Sequence, residues 1–343
     1  MLSKPKPIFR TMKRTSKMLK NTAKHQNIFF LIISFFLLLF IGVLYYLALP
    51  FQSQAVVFLP QGSIREIIAN LSNENSKMSK IDLVALRILG KPQAGWIDIG
   101  TRPLNRGEFL HKLTTAKAAL VNITLIPGET TAVFFKQLAK QLNLDENELM
   151  RAYNALASYD EGLFYPETYK IPKGINETML VELLLKYSQN AFKQASMKIF
   201  GEYNEKKWHE WVIIASVIQK EAASTDEMAL VSSVIKNRLK IGMKLQMDGT
   251  LNYGLYSHSK ITPERIRNDE SSYNTYKFSG LPKEAVCNVS LDAIKAAVSP
   301  AQSEYLYFMR DKSTCKDDGT ACKHIFTTNA KDHNKAVESQ KKK

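Results

Sequence analysis

The sequence predicts an α+β protein carried on a single membrane-spanning helix, and three observations predict it. Residues 28–49 form one apolar run with no charged side chain. At about 1.5 Å per residue it is long enough to cross a roughly 30 Å hydrocarbon core. Beyond it, short strand-type segments are followed by stretches whose apolar residues recur at helical spacing. The helical pattern from Trp208 to Glu221 then ends with a carboxyl side chain on its own apolar face.

The 343 residues carry a net charge of +15, but much of that excess is local. Lys4, Lys6, Arg10, Lys13, Arg14, Lys17, Lys20 and Lys24 fall before the apolar run with no acid among them, and Lys341 to Lys343 close the chain. Such a distribution speaks to topology rather than to nucleic acid, which is not an expected partner. Tyr45 and Tyr46 suit an interfacial belt at the far end of the span. A cleaved signal peptide would have a shorter apolar region, so the run reads as an anchor. The positive-inside rule places residues 1–27 in the cytoplasm and everything after Pro50 outside.

Ala55 to Leu59 reads as a strand stopped by Pro60-Gln-Gly62, and Ser63-Ile-Arg-Glu66 has capping-box spacing for a helix over Ile64, Ile67, Ile68 and Leu71. Ile81 to Leu89 is a second helix, Trp96 to Ile99 a strand, and Asn105 to Leu113 a third helix. Val121 to Ile126 alternates, breaks at Pro127-Gly128, and leads into a helix from Ala132 to Leu142. Asp160 to Tyr169 is an aromatic loop with Glu161 and Glu167, which reads as the wall of a cleft. Asn176 to Phe200 is a long amphipathic helix.

Ile214, Val217, Ile218 and Glu221 share one helical face. Ser224-Thr-Asp-Glu227 has capping-box spacing for the next helix, which leaves Glu221 in the last turn of its own. Burial and a helix C-terminus both disfavour a carboxylate and push its pKa upward, as a general acid requires. The plain alternative is a helix-end residue that reaches water or pairs with Arg238. Met228 to Ile241 is the following helix, with Gly242 at its end. Gln246, Asp248 and Thr250 alternate, which on an extended segment gives them one polar face suited to lining a cleft.

These motifs resemble the YceG-like family of endolytic peptidoglycan transglycosylases, also called murein lytic transglycosylase G. The resemblance covers roughly residues 55–337. That family's helix usually reads Ala-Ser-(Ile/Val)-(Ile/Val)-Glu-Lys-Glu; here it is Ala215-Ser-Val-Ile-Gln219-Lys220-Glu221, with Gln219 in place of the first Glu. The run from Asn237 to Thr250, Ser272-Tyr-Asn-Thr-Tyr276 and Gly280-Leu-Pro282 also match, whereas Ala285-Val-Cys-Asn-Val-Ser290 lacks the family's Pro and Gly.

Charge and hydropathy set off a cytoplasmic tail (1–27), a transmembrane helix (28–49) and a Lys-rich tail (338–343), and between them the resemblance implies a LysM-like α/β module (50–120) and an α+β catalytic domain (121–337). It implies Glu221 as catalytic acid, with Gln246, Asp248, Thr250, Tyr253, Tyr273, Asn274, Thr275 and Tyr276 as substrate-binding residues. Cleavage of the MurNAc–GlcNAc β-1,4 bond would leave 1,6-anhydro-MurNAc ends and terminate glycan elongation. The setting would be the periplasmic face of the inner membrane, with glycan strands as substrate, penicillin-binding proteins or other wall-synthesis enzymes as partners, and no cofactor or metal.

Two other classes stay open: a muramidase-type hydrolase with Asp248 as second carboxylate, and a non-catalytic glycan-binding scaffold. Cys315 and Cys322 flank a hydrophilic turn and are expected to form a disulfide, with free thiols as the alternative and metal binding with His324 least supported. Cys287 has no evident local partner, and the spacing of His324 and His333 demands no chemistry.

Overall fold

The computed structural model describes residues 9–73, 78–92, 94–315 and 322–341. Lys4 and Lys6 of the basic tail, residues 316–321 of the turn between the cysteines, and Lys342 and Lys343 lie outside the described residues. The chain divides into two units, Met1–Ala119 and Leu120–Lys343, and is mixed α and β throughout.

Unit 1 begins with one continuous helix, α1 (Phe9–Ala48), whose stretch Gln26–Ala48 is long and apolar enough to cross a membrane. Then come β1 (Pro50–Phe51), β2 (Val56–Leu59), α2 (Ile64–Asn73), α3 (Lys80–Leu89), β3 (Gly95–Asp98), β4 (Leu104–Asn105) and α4 (Arg106–Thr115). β2 pairs antiparallel with β3, from Val56↔Asp98 to Leu59↔Gly95, and β1 with β4. The Ser63 box forms: its N–H donates to Glu66 Oε2 (2.8 Å) and its Oγ accepts from Glu66 N–H (3.3 Å). Leu59, Ile67, Leu86, Ile97, Phe109 and Leu113 are the core of this unit. Tyr46, at the outer end of the apolar stretch, also has partners within the unit. Its hydroxyl donates to Asp82 Oδ2 (3.0 Å) and lies 2.7 Å from Ser79 Oγ, while the Arg106 guanidinium sits over its ring. A buried carboxylate wants partners, and Tyr46 is one of them.

In unit 2, β5 (Leu120–Thr124) leads through Pro127-Gly128 to α5 (Thr131–Leu142), α6 (Glu146–Leu156) and β6 (Thr168–Pro172), which pairs antiparallel with β5. α7 (Glu177–Phe200) runs from the side-chain cap Asn176 to the left-handed Gly201. α8 (Glu205–Glu221) starts three residues before Trp208, because Asn204 accepts the Lys207 N–H and caps it there. α9 (Met228–Lys240), α10 (Pro263–Asn268), α11 (Leu291–Val298), β7 (Tyr307–Arg310), β8 (His324–Thr327) and α12 (Ala330–Lys341) complete the unit. Trp208, Val212, Ala215 and Ile218 of α8 pack with Val231, Val234 and Ile235 of α9 and Ala293 and Ile294 of α11.

One local reading changes. Ser224 makes no side-chain cap, and Thr225–Glu227 forms a short 3-10 turn instead. Glu227 is drawn away to His324, accepting its backbone N–H (2.8 Å) and lying 2.9 Å from its ring nitrogen, so a tertiary partner wins over the local one. The loop from Asp160 to Tyr169 plugs the core with Phe164, while its Gly162 and Leu163 line a cavity. Phe164 is fully buried against Phe134, Phe135 and Tyr153, while Gly162 has φ +81° and a Cβ there would meet Val212 Cγ1 at 2.7 Å.

Candidate active site

α8 delivers Glu221 as its last residue, and the following Ala222 turns extended and stops the helix. The residue is part-exposed, but its carboxyl end is packed against the 248–251 turn. There Oε1 accepts the Gly249 N–H at 2.6 Å. Desolvation pushes its pKa up to about 7, opposed by the Gly249 hydrogen bond, reinforced by the Asp248 charge and opposed again by Arg238. Arg238 does not pair with it. The guanidinium donates to the carbonyls of Leu306 (2.6 Å) and Leu245, and burial lowers its pKa.

The turn that carries Gly249 is fixed from both sides. α9 ends in a Schellman motif, Met243 N–H to Arg238 O (2.9 Å) and Gly242 N–H to Leu239 O (3.2 Å). The chain then reverses at Gln246, which has φ +47°, and enters a 3-10 turn over Asp248–Leu251. Met247 N–H donates to Thr275 Oγ1 (3.0 Å), Gln246 N–H to Thr275 O (3.1 Å), and Thr250 Oγ1 to Met247 O (2.7 Å). A Cβ on Gly249 would meet Lys220 Cβ at 2.7 Å and Glu221 Oε1 at 2.8 Å, so only glycine brings its N–H to the acid.

The extended, one-faced reading of Gln246, Asp248 and Thr250 therefore gives way. Gln246 and Asp248 are exposed, but Thr250 is fully buried with Thr275, their hydroxyls 3.1 Å apart. Asn274 is also buried, its amide donating to Ile266 O and Asp269 O (both 2.8 Å). Thr250, Asn274 and Thr275 thus spend their polar groups on the scaffold and present none to a sugar. Residue type alone marked all three as polar; their direction needed the fold. Tyr276 donates to Asp248 Oδ1 (2.7 Å). Tyr253 stacks on Tyr273 (centroids 4.3 Å, 13°) and donates to Asp269 Oδ2 (3.0 Å), with Arg265 over the Tyr253 and Tyr256 rings.

Glu161 has the same raised pKa, about 7 from burial, but a different situation. It is buried and accepts from Thr131 N–H, Thr131 Oγ1 (2.6 Å) and Gly162 N–H (3.0 Å), which use both of its oxygens. Glu167 is exposed beside β6. Among the described residues Glu221 accepts one protein hydrogen bond, on Oε1, which leaves Oε2 for a ligand. Gln219, where the resemblance places a second Glu, accepts from Ser290 N–H (3.1 Å) and Ser290 Oγ (2.7 Å) and braces the start of α11. Among the described residues there is no group of three or more His, Cys, Asp or Glu arranged for a metal.

A cavity of about 400 Å³ lies at the other end of α8, between Tyr159, Phe192, Trp208 and His209, and Glu221 is not in its wall. Cys315 and Cys322 form a disulfide in the segment between β7 and β8, and Cys287 is buried as a free thiol.

The YceG-like family model matches residues 57–339. The chain belongs to the YceG-like family. It is 27% identical over 311 residues to the endolytic murein transglycosylase of Bacillus subtilis (strain 168), covering 82% of this chain and 83% of that one. With the endolytic murein transglycosylase of Streptococcus pneumoniae it shares 29% over 192 residues, which is 52% of this chain and 31% of the pneumococcal protein. A crystal structure of a YceG-like protein from Listeria monocytogenes superposes with TM-score 0.51 at 22% identity, covering 82% of this chain and 97% of that one. That likeness bears on the fold alone. The family thus places Glu221, Gly249 and the Tyr253–Tyr273 pair inside its matched region.

Proposed function

We propose that this protein is a membrane-anchored endolytic lytic transglycosylase that cleaves the MurNAc–GlcNAc β-1,4 bond of peptidoglycan strands. The observation that carries the reading is Glu221: one carboxyl at a helix end, desolvated to a pKa of about 7, with one oxygen held by Gly249 and the other free. A group poised there is protonated often enough to give a proton and ionised often enough to take one back. The names of the Bacillus and Streptococcus relatives support the same substrate.

In the first half-reaction Glu221 protonates the glycosidic O4 as the C1–O4 bond breaks, leaving positive charge spread over C1 and the ring oxygen of MurNAc. The Glu221 carboxylate then takes the proton of the MurNAc C6 hydroxyl, whose oxygen bonds to C1 and closes the 1,6-anhydro ring. No water is consumed and the acid is regenerated. Asp248 is exposed and negative beside this position, which suits it to favour the oxocarbenium-like charge, and Tyr276 orients it. Gln246, Tyr253, Tyr273 and Tyr276 remain the sugar-positioning groups of this reading. The basic residues before the apolar stretch Gln26–Ala48 support a cytoplasmic N-terminus and a periplasmic remainder, and the Cys315–Cys322 bridge fits an oxidising compartment. The β2-α2-α3-β3 order of unit 1 fits the LysM-like, glycan-binding role expected of it. Enzymes of wall synthesis are the partners this setting offers.

Digestion of purified glycan strands and mass analysis of the products tests the reading. Anhydro ends are expected from the wild type. Glu221→Gln, which keeps the shape but has no acidic proton, is expected to lower their yield by roughly 10²–10⁴-fold without loss of folding. Reducing ends would instead identify a muramidase using Asp248, and full activity of a folded Glu221→Gln protein would remove Glu221 as the acid.

A further inference from the structure

α3 is apolar on two faces, one more than a helix between a core and water needs. Its inward face carries Leu86, with Leu83 and Ala85 packed beside it, and the buried Asp82, which pairs with Arg106 Nη1 at 2.8 Å. Its outward face carries Ile81, Val84 and Ile88 at i, i+3 and i+7, which are 38%, 52% and 81% exposed, with Leu89 beside them. A helix packed on a soluble core turns polar residues outward instead. An exposed apolar stripe of this kind marks a surface that meets something other than water.

The stripe is one wall of an open groove of about 560 Å³, and the facing wall is Phe40, Val43, Leu44 and Leu47 of α1. Those four residues lie inside the apolar stretch Gln26–Ala48. The arrangement is fixed rather than incidental. The Tyr46 hydroxyl ties α1 to Ser79 and Asp82 at the head of α3, and the Arg106 N–H donates to Leu49 O at 3.0 Å.

We infer that α3 lies in the membrane interface, its Ile81, Val84 and Ile88 side chains seated among the acyl chains that surround the outer end of α1. This rests on the reading of α1 as a membrane span. Whatever solvates Phe40 to Leu47 also fills the groove and meets α3, and beside a spanning helix that solvent is lipid. Phe40 to Leu47 covers about 10 Å of helix, which matches the 5–10 Å depth at which interfacial helices bury their apolar face. Lys80, Arg87 and Lys91 are exposed on and beside the same helix, placed to reach headgroup phosphates. Unit 1 would then rest on the bilayer surface instead of hanging from a single tether.

The full-length chain, reconstituted in phosphatidylcholine–phosphatidylglycerol vesicles, allows a direct test. Its own cysteines stay silent: Cys315 and Cys322 are bonded, and burial pushes the Cys287 thiol up to about 12. Ile88→Cys, Phe36→Cys and Lys140→Cys are each labelled with an environment-sensitive fluorophore, then exposed to lipid-borne doxyl and to aqueous iodide. The Ile88→Cys and Phe36→Cys labels should be quenched several-fold more by doxyl than by iodide, and Lys140→Cys the reverse. Iodide quenching at Ile88→Cys with doxyl quenching at Phe36→Cys overturns the inference and leaves the anchor standing. Iodide quenching at both removes the anchor and the inference together. Shielding of Ile88→Cys from both quenchers means that protein, such as a second copy of the chain, covers the face, and also overturns it. Val84→Cys repeats the measurement if the Ile88→Cys protein does not fold.

Discussion

At the scale of single residues, the site depends on a backbone amide as much as on an acid. The Gly249 N–H holds Glu221 Oε1 at 2.6 Å and a methyl group cannot fit there. Gly249→Ala is therefore expected to displace the carboxyl and lower turnover on the order of 10²-fold, the usual consequence of misplacing a reacting group by an ångström. The bond favours the charged acid, so weakening it raises the Glu221 pKa. The limb of the pH–rate profile on which the acid is lost should then move to higher pH, a shift that a loss of stability alone would not produce. Glu161 offers a contrasting test. Its folded pKa, about 7 through burial, lies above the ordinary carboxyl value. Its contribution to stability is thus fully present below about pH 4 and is lost as pH rises through 7. Thermal unfolding from pH 4 to 8 should show a shallower pH dependence in Glu161→Gln than in wild type, while anhydro product continues to form. Loss of product from a folded Glu161→Gln protein would make Glu161 the acid.

At the scale of elements, the turn from Leu245 to Leu251 is positioned by the loop at 273–276 more than by its own sequence. Thr275 is the main link: its hydroxyl accepts Met247 N–H and its carbonyl accepts Gln246 N–H. Thr275→Val keeps the shape but leaves a buried N–H without an acceptor, which costs about 1–3 kcal/mol. Urea unfolding should show that loss. Because Gly249 sits in the same turn, kcat should fall while KM changes little; an unchanged kcat would mean that the turn holds its place without Thr275. The helices themselves were legible because their signals are local. Ser63 caps where its spacing says it should. Ser224 fails because His324, nearly a hundred residues away, competes for Glu227.

At the scale of the whole molecule, the basic segment and the apolar helix make a prediction about topology. A reporter active only in the cytoplasm, fused after Lys343, should stay silent if residues 51–343 lie outside; strong activity would reverse the assignment. The sequence by itself determined the apolar span, most of the helices and the α+β class, and it singled out Glu221 as the candidate acid, since each follows from local spacing, charge and residue type. Tertiary structure decided which polar groups remain available. Gln246, Thr250, Asn274 and Thr275 look alike as a list. Yet only a left-handed residue at 246 and a 3-10 turn after it send Thr250 inward and leave Asp248 outside. It also decided that Glu161 is sealed by Thr131 while Glu221 keeps an oxygen free, and that Tyr46 serves Asp82. The physical reason is common to all of these cases. A polar side chain is committed by whichever partner the folded chain brings to it, and most of those partners are distant in sequence.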